Sequence, residues 1–138
     1  MNNEELTMNN EQGVKDNVVK DKSYKFALRI VKAFKFLTQE QREFVLSKQV
    51  LRSGTSIGAL VREAEYAQSP ADFISKMHIA LKEANETEYW LMILKDSEYI
   101  DEKTFTSIQK DCKELIRLLI SIIIKAKETI ETTKKQTK

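Results

Sequence analysis

His78 and Cys112 are residue types that often take part in catalysis or metal binding, and each type occurs only once in the chain. A cysteine–histidine nucleophile would require these two side chains to meet. Cys112, however, lies among apolar residues at helical spacing, which is typical of a buried and unreactive thiol. The di-iron sites of helix bundles need Glu-x-x-His pairs, but the residue three before His78 is Ser75. The sequence therefore indicates no catalytic residue, no metal site and no cofactor.

A short segment of small residues, Arg52–Gly58, superficially resembles a phosphate-binding loop. It lacks the Gly-Lys-Ser/Thr ending of such loops, and no strand precedes it. The alternative is a patch of small residues that lets two helices pack closely, with serine hydroxyls bonded to the preceding turn. The carboxylates of Glu83, Glu86 and Glu88 could hold a metal ion, but such residues are more typical of a solvated or interface face.

Basic residues recur along the first amphipathic segment at Lys15, Lys22, Lys25, Arg29 and Lys32. On a helix they fall within a sector of about 100°, beside the apolar stripe and not opposite it. A row of cations at one-turn intervals can follow a phosphate backbone and displace its counterions. We predict that Lys22, Lys25, Arg29 and Lys32 bind RNA or DNA. The alternative is a solvated face, or a complement to an acidic helix.

Four amphipathic segments must position these residues. Apolar side chains recur at spacings of three and four, and the chain has only 3 Gly and 1 Pro, which favours a few long helices. The predicted helices run from about Lys15 to Leu37, Gln41 to Ala67, Pro70 to Ser97 and Glu102 to Glu131, with Ser69 and Asp101 as N-caps. Because the connections are short, consecutive helices must be antiparallel. The sequence therefore predicts an all-α fold, an antiparallel up-down-up-down four-helix bundle.

The two ends of the chain differ from the middle in composition. Residues 1–14 are polar and are predicted to form a disordered N-terminal tail, residues 15–131 the bundle, and residues 132–138 a flexible C-terminal tail. No apolar run approaches the roughly 20 residues of a membrane span, and the N-terminal segment lacks the features of a secretory signal. With a single cysteine as well, we expect a cytoplasmic protein that does not associate with membranes.

The net charge of +2 conceals two segments of opposite sign. Residues 15–38 carry seven bases and two acids, whereas residues 63–102 carry three bases and ten acids. The first segment favours a polyanionic partner. The second leaves open a different function, a protein-interaction adaptor whose acidic third helix receives a basic partner.

A second apolar set on the predicted second helix indicates self-association. Phe44, Leu51, Gly58 and Val61 lie roughly 100–140° away from the main apolar stripe of that helix. A monomeric bundle buries one stripe per helix, so some of this set would be exposed in a monomer. We predict that these four residues form an interface between copies of the chain.

The segment Gln49–Gly58, with its Arg-Ser-x-x-Ser-Ile core, resembles the four-helix-bundle proteins of the 23S rRNA intervening-sequence family. The similarity extends through Ser23–Ala27 and Phe73–Glu88, and it covers about Asp16 to Lys127. Many relatives have Asn after the Ser-Ile-x segment, whereas Ala59 follows it in this chain.

The resemblance implies a bacterial protein, encoded within an intervening sequence of a large-subunit ribosomal RNA gene or standing alone in the genome. The accessory variability determinant of diversity-generating retroelements is similar, and it is a basic pentamer that binds a reverse transcriptase and nucleic acid. By that similarity we expect a homopentamer, with RNA or DNA and a partner protein such as a reverse transcriptase as possible ligands. The family supplies no catalytic residue. Arg52, Ser53 and Ser56 match its motif, and we assign them to helix packing or subunit contacts.

Overall fold

The computed structural model describes the backbone of residues 3–136 and the side chains of residues 17–136. In this part of the chain there are four α-helices and no strand: α1 (Asn3–Gln39), α2 (Leu46–Glu65), α3 (Pro70–Asp96) and α4 (Glu102–Gln136). Each helix packs against its neighbour in sequence, and α4 also packs against α1. The all-α, up-down-up-down four-helix bundle predicted from the sequence is confirmed.

Contacts between helices show the antiparallel order directly. The Lys20 ammonium lies 2.9 Å from the Glu65 carboxylate, so the early part of the described α1 meets the end of α2. Further along α1, Ile30 packs against Gly54. The core between the four helices is built from residues of every helix, and its largest fully buried side chains are Phe26, Ile30, Leu37, Ile57, Met77, Leu91, Leu94, Leu115, Leu119 and Ile122.

Both predicted N-caps are present. The Ser69 hydroxyl accepts a hydrogen bond from the Asp72 backbone N–H at 3.0 Å, and Pro70 occupies the first turn of α3. Asp101 accepts from the Thr104 N–H at 2.7 Å and so caps α4. This hydrogen bonding lowers the pKa of Asp101.

The second helix begins later than predicted, at Leu46 instead of about Gln41. The buried Glu43 carboxylate accepts hydrogen bonds from the backbone N–H groups of Val45, Leu46 and Ser47, at 2.8–3.1 Å. It thereby satisfies donors that the first turn of a helix leaves without a partner. Glu43, which lies within the predicted second helix, is therefore the residue that caps the first turn of α2.

The first and last helices extend further than predicted. The backbone of α1 is helical from Asn3, and α4 continues to Gln136, past the predicted end at Glu131. Adding residues to an existing helix requires no new nucleation, so long polar ends can remain helical. The side chains of residues 3–16 lie outside the described part, as do residues 1–2 and 137–138 altogether. For these residues the predicted tails stay predictions.

Candidate nucleic-acid interface

The predicted basic row of α1 lies along α4, where acidic side chains neutralise part of it. The Lys22 ammonium is 2.7 Å from the Glu114 carboxylate, and its pKa is raised by that hydrogen bond and charge. Arg29 pairs with Asp111 at 2.6 Å and also donates to the backbone and hydroxyl oxygens of Ser107. These pairs link α1 to α4, so Lys22 and Arg29 have the structural role that the sequence left open as an alternative, but their partners lie on α4 and not on the acidic third helix.

Lys25 and Lys32 are less engaged, and the side chain of Lys15 lies outside the described part. Lys25 pairs with Asp21, one turn earlier on α1, at 3.0 Å, but its side chain is 72% exposed. Lys32 is exposed. Exposed pairs within one helix contribute little free energy and are readily exchanged for another anion. Lys25 and Lys32 are therefore the members of the predicted row whose charges are most available to a ligand.

A second set of cations on α4 was not apparent from the sequence pattern. Lys103, Lys110 and Arg117 are spaced by seven residues, or about two helical turns, and all three are exposed. Within the described residues none of them lies in an ion pair. A heptad search of α4 for basic residues alone would have found them, but the acids between them concealed the pattern.

The two sets of cations share one surface, which we call the α1–α4 face. Glu114, the partner of Lys22, lines the same shallow depression as Lys110 and Arg117. Asp111, which holds Arg29, directly follows Lys110 in sequence. The α1–α4 face therefore has paired charges along its seam and exposed cations on both sides of it.

The acidic residues of α3 are engaged within the bundle. Arg52 of α2 pairs with both Glu83, at 3.1 Å, and Glu86. Burial raises the pKa of Glu83, whereas its partner Glu86 has a pKa lowered by the hydrogen bonds of Arg52 and Glu83, which outweigh its burial. On the other side of α3, Glu88 pairs with Lys113 of α4 at 3.1 Å. These three carboxylates bind neighbouring helices and offer little to an external basic partner.

The Arg-Ser-x-x-Ser-Ile segment lies within α2, and its side chains contact α3. The buried Thr87 hydroxyl donates to the Ser53 hydroxyl at 3.0 Å, and Ser53 in turn donates to the backbone oxygen of Gln49. Ser56 donates to the backbone oxygen of Arg52, and Ile57 is fully buried in the core. The segment therefore packs helices together, as one of the two sequence interpretations predicted, and it is not a phosphate loop.

An open groove of about 840 Å³ lies where the end of α1 meets the α3–α4 turn. From α1 it is lined by Arg29, Lys32 and Phe36, and Phe36 is 41% exposed. The opposite rim is the turn itself, with Tyr99 beside acidic residues. Nothing in the sequence pattern predicted this groove, because it depends on how two helix ends meet.

The comparisons with known proteins agree with the motif. The family model described as 23S rRNA-intervening sequence protein matches residues 15–121. The chain belongs to the 23S rRNA-intervening sequence protein family. A crystal structure of a protein with unknown function from the S23 ribosomal protein family, from Bacteroides thetaiotaomicron VPI-5482, is 67% identical in sequence. The match covers 79% of this chain and 97% of the relative, with a TM-score of 0.78. No curated protein matches the chain.

In this 23S rRNA-intervening sequence protein, the four residues predicted for self-association are in different environments. Gly58 is buried, and a Cβ atom at that position would lie 3.3 Å from the backbone oxygen of Ser23 on α1. Val61 is 5% exposed and belongs to the core. These two residues are therefore covered by the chain itself, which corrects the prediction that they lie at an interface. Leu51 is half-buried and Phe44 is 51% exposed, so an interface involving them stays a prediction.

The histidine and cysteine of this family member lie apart. His78 is exposed on α3, whereas Cys112 is fully buried and its thiol donates to the backbone oxygen of Ala84. Burial, with a smaller contribution from Glu88, raises the pKa of Cys112 to about 12. Such a thiol is protonated at neutral pH and is a poor nucleophile.

No cluster of His, Cys, Asp and Glu side chains in the described part could hold a metal ion. Within the same residues, no helix contains an apolar stretch long enough to cross a bilayer.

Proposed function

We propose that the protein is a non-enzymatic, nucleic-acid-associated scaffold that forms a homo-oligomer and binds RNA or DNA through its α1–α4 face. The observation that supports this best is the pair of exposed cations Lys110 and Arg117 on α4, on the same face as Lys25 and Lys32 of α1. Cations on both sides of a helix seam can contact phosphates along a strand that crosses it. The names of the family and of the relative refer to ribosomal RNA and the ribosome, which fits a polyanionic partner.

Self-association is supported by apolar surface at the α1–α2 seam. Tyr24 and Leu28 of α1 are 52% and 53% exposed, and Phe44 in the connection to α2 is 51% exposed. Exposed apolar side chains that form one contiguous patch mark an interaction surface. A ring would also repeat the α1–α4 face once per copy, so weak contacts with nucleic acid would add along one strand.

The alternative is a protein-interaction adaptor that has no nucleic-acid role. It requires acidic α3 residues that are free to meet a basic partner. Because Glu83, Glu86 and Glu88 pair with Arg52 and Lys113 of the same chain, this alternative has less support.

Fluorescence anisotropy with a labelled single-stranded RNA tests the proposal, with salt varied between roughly 50 and 200 mM. Affinity should fall steeply with salt, and the Lys110→Glu/Arg117→Glu double variant should lose most of it. The salt slope should fall by about one for each phosphate contact removed. Arg29 is a poor choice for substitution, because its removal would also leave Asp111 without its partner.

Lys48→Glu/Lys82→Glu is the matched control. It makes the same change in charge at two exposed lysines on α2 and α3, away from the α1–α4 face. This control should bind more weakly only to the small extent that total charge dictates. Equal losses in the two double variants would place binding elsewhere, and undetectable binding by the wild-type chain at low salt would remove the nucleic-acid role.

A further inference from the structure

We propose that the groove between the end of α1 and the α3–α4 turn binds an unpaired nucleobase, so that the α1–α4 face takes single-stranded nucleic acid in preference to duplex. The inference rests on the proposed function and adds to it the class of ligand. It follows from three properties of the groove: its exposed aromatic ring, its separated charges and its size.

The aromatic ring is Phe36, which is 41% exposed although it lies on a helix whose other face forms the core. It follows Lys32 by four residues, so the ring and the ammonium lie on the same side of α1, one turn apart. Tyr99 of the turn lines the same groove. Aromatic rings beside cations are the arrangement on which unpaired bases stack while their phosphates are neutralised.

Arg29 adds a second flat surface at the same end of α1. Its guanidinium is held by Asp111 and by both oxygens of Ser107, so its plane is fixed before a ligand arrives. A fixed guanidinium can stack on a base without losing side-chain freedom on binding.

The two rims of the groove carry opposite charge. The α1 rim has Arg29 and Lys32, whereas the rim at the turn has three acids, Glu98, Asp101 and Glu102, beside one cation, Lys95 at the end of α3. The Asp101 carboxylate is occupied as the cap of α4, and Glu102 lies 4.0 Å from the Lys95 ammonium, but Glu98 is exposed and can accept a hydrogen bond. A nucleotide has the matching polarity, with phosphate at one end and, on cytosine, adenine and guanine, an exocyclic amino donor at the other.

The volume of about 840 Å³ is within the usual range for small-molecule sites and leaves room for a base. A base within a duplex has its ring faces covered by its neighbours, so it could not stack on Phe36 without being extruded. The groove therefore favours single strands, loops and ends. The carboxylates of the turn also favour cytosine over thymine, since thymine presents a carbonyl where cytosine presents an amino group.

Anisotropy with oligo(dC), oligo(dT) and a duplex of equal length tests the inference. Phe36→Ala should weaken binding of oligo(dC) by at least about fivefold and leave duplex binding unchanged, whereas Phe36→Tyr, which keeps the ring, should restore it. Tyr66→Ala is the control, because Tyr66 is 82% exposed at the far end of α2. Glu98→Ala should bring the ratio of the affinities for oligo(dC) and oligo(dT) towards one.

The outcomes separate the inference from the proposed function. Salt-dependent binding that is equal for single strand and duplex, or that is unaffected by Phe36→Ala, overturns the nucleobase site and leaves the scaffold function standing. A Phe36→Ala variant that binds a partner protein less tightly but nucleic acid equally well assigns the groove to that protein instead. Absence of all nucleic-acid binding removes both proposals together.

Discussion

Glu98 holds its backbone in a conformation that normally favours glycine. Its φ angle is +66°, in the left-handed region, and it follows Ser97, the C-cap of α3. The Glu98 N–H donates to the Lys95 oxygen and the Tyr99 N–H to the Leu94 oxygen, which together form a Schellman motif. A side chain in this conformation costs about 1–2 kcal/mol, and glycine avoids that cost.

We therefore predict that Glu98→Gly stabilises the protein by about 1 kcal/mol, measured as the free energy of unfolding in urea. Glu98→Ala is the matched control. It also removes the carboxylate but keeps the Cβ atom in the left-handed conformation, so it should give no such gain. Equal stabilisation by both variants would mean that the charge of Glu98, and not its backbone, sets the energy.

At the scale of single residues, the sequence predicted which side chains are buried better than it predicted which charged side chains form ion pairs. The spacing of Cys112 predicted a buried thiol, because burial follows from helical periodicity within one segment. The partners of Lys22 and Arg29 could not be predicted, because Glu114 and Asp111 are far away in sequence and meet them only when α4 packs on α1. A basic row read from one helix does not show which of its charges another helix will neutralise.

At the scale of helices, the approach of α1 to α2 depends on the absence of a side chain at position 54. A Cβ atom there would lie 2.7 Å and 2.9 Å from the two γ carbons of Ile30, which is fully buried and cannot easily move. Alanine is favoured over glycine in a helix by about 1 kcal/mol, but overpacking a core costs about 1–3 kcal/mol.

Gly54→Ala should therefore destabilise the protein by about 1–2 kcal/mol in chemical denaturation, despite the better helix propensity of alanine. The same substitution should stabilise an Ile30→Ala background, where both γ carbons are gone, only the Cβ contact at 3.2 Å remains, and the added methyl group fills part of the cavity. A double-mutant cycle measures this reversal of sign. Destabilisation of the same size in both backgrounds would show that contact with Ile30 is not the cause.

The number and order of the helices could be predicted because apolar periodicity is local, whereas their ends depended on particular contacts. Ser69 and Asp101 were identifiable because Ser and Asp are common caps. Glu43 was not, because a glutamate that caps from three residues before the helix resembles a helical residue in the sequence. The groove beside the α3–α4 turn depends on such ends, which is why the candidate base site was absent from the sequence prediction.

At the scale of the whole molecule, three of the exposed apolar residues, Tyr24, Leu28 and Phe44, lie along one side of the α1–α2 pair. The guanidinium of Arg62 lies 5.8 Å from the centre of the Tyr24 ring, which places Tyr24 beside α2. Leu51 and Arg62 are about three turns apart on the same side of α2, and Leu28 follows Tyr24 by one turn on α1. The outer side of the α1–α2 pair therefore presents a strip of apolar surface to solvent.

We predict that this strip joins copies of the chain and that light scattering gives a mass well above the 16.0 kDa of one chain, about 80 kDa for a pentamer. Leu28→Glu/Phe44→Glu should shift the mass towards the monomer, because an interface core does not tolerate unpaired carboxylates. Ile79→Glu is the control, since Ile79 is 43% exposed on α3, away from the strip. A wild-type chain that remains monomeric at concentrations of tens of micromolar would contradict the prediction. If the double variant then still bound nucleic acid but more weakly, the loss would measure how much the repeated α1–α4 faces contribute by acting on one strand.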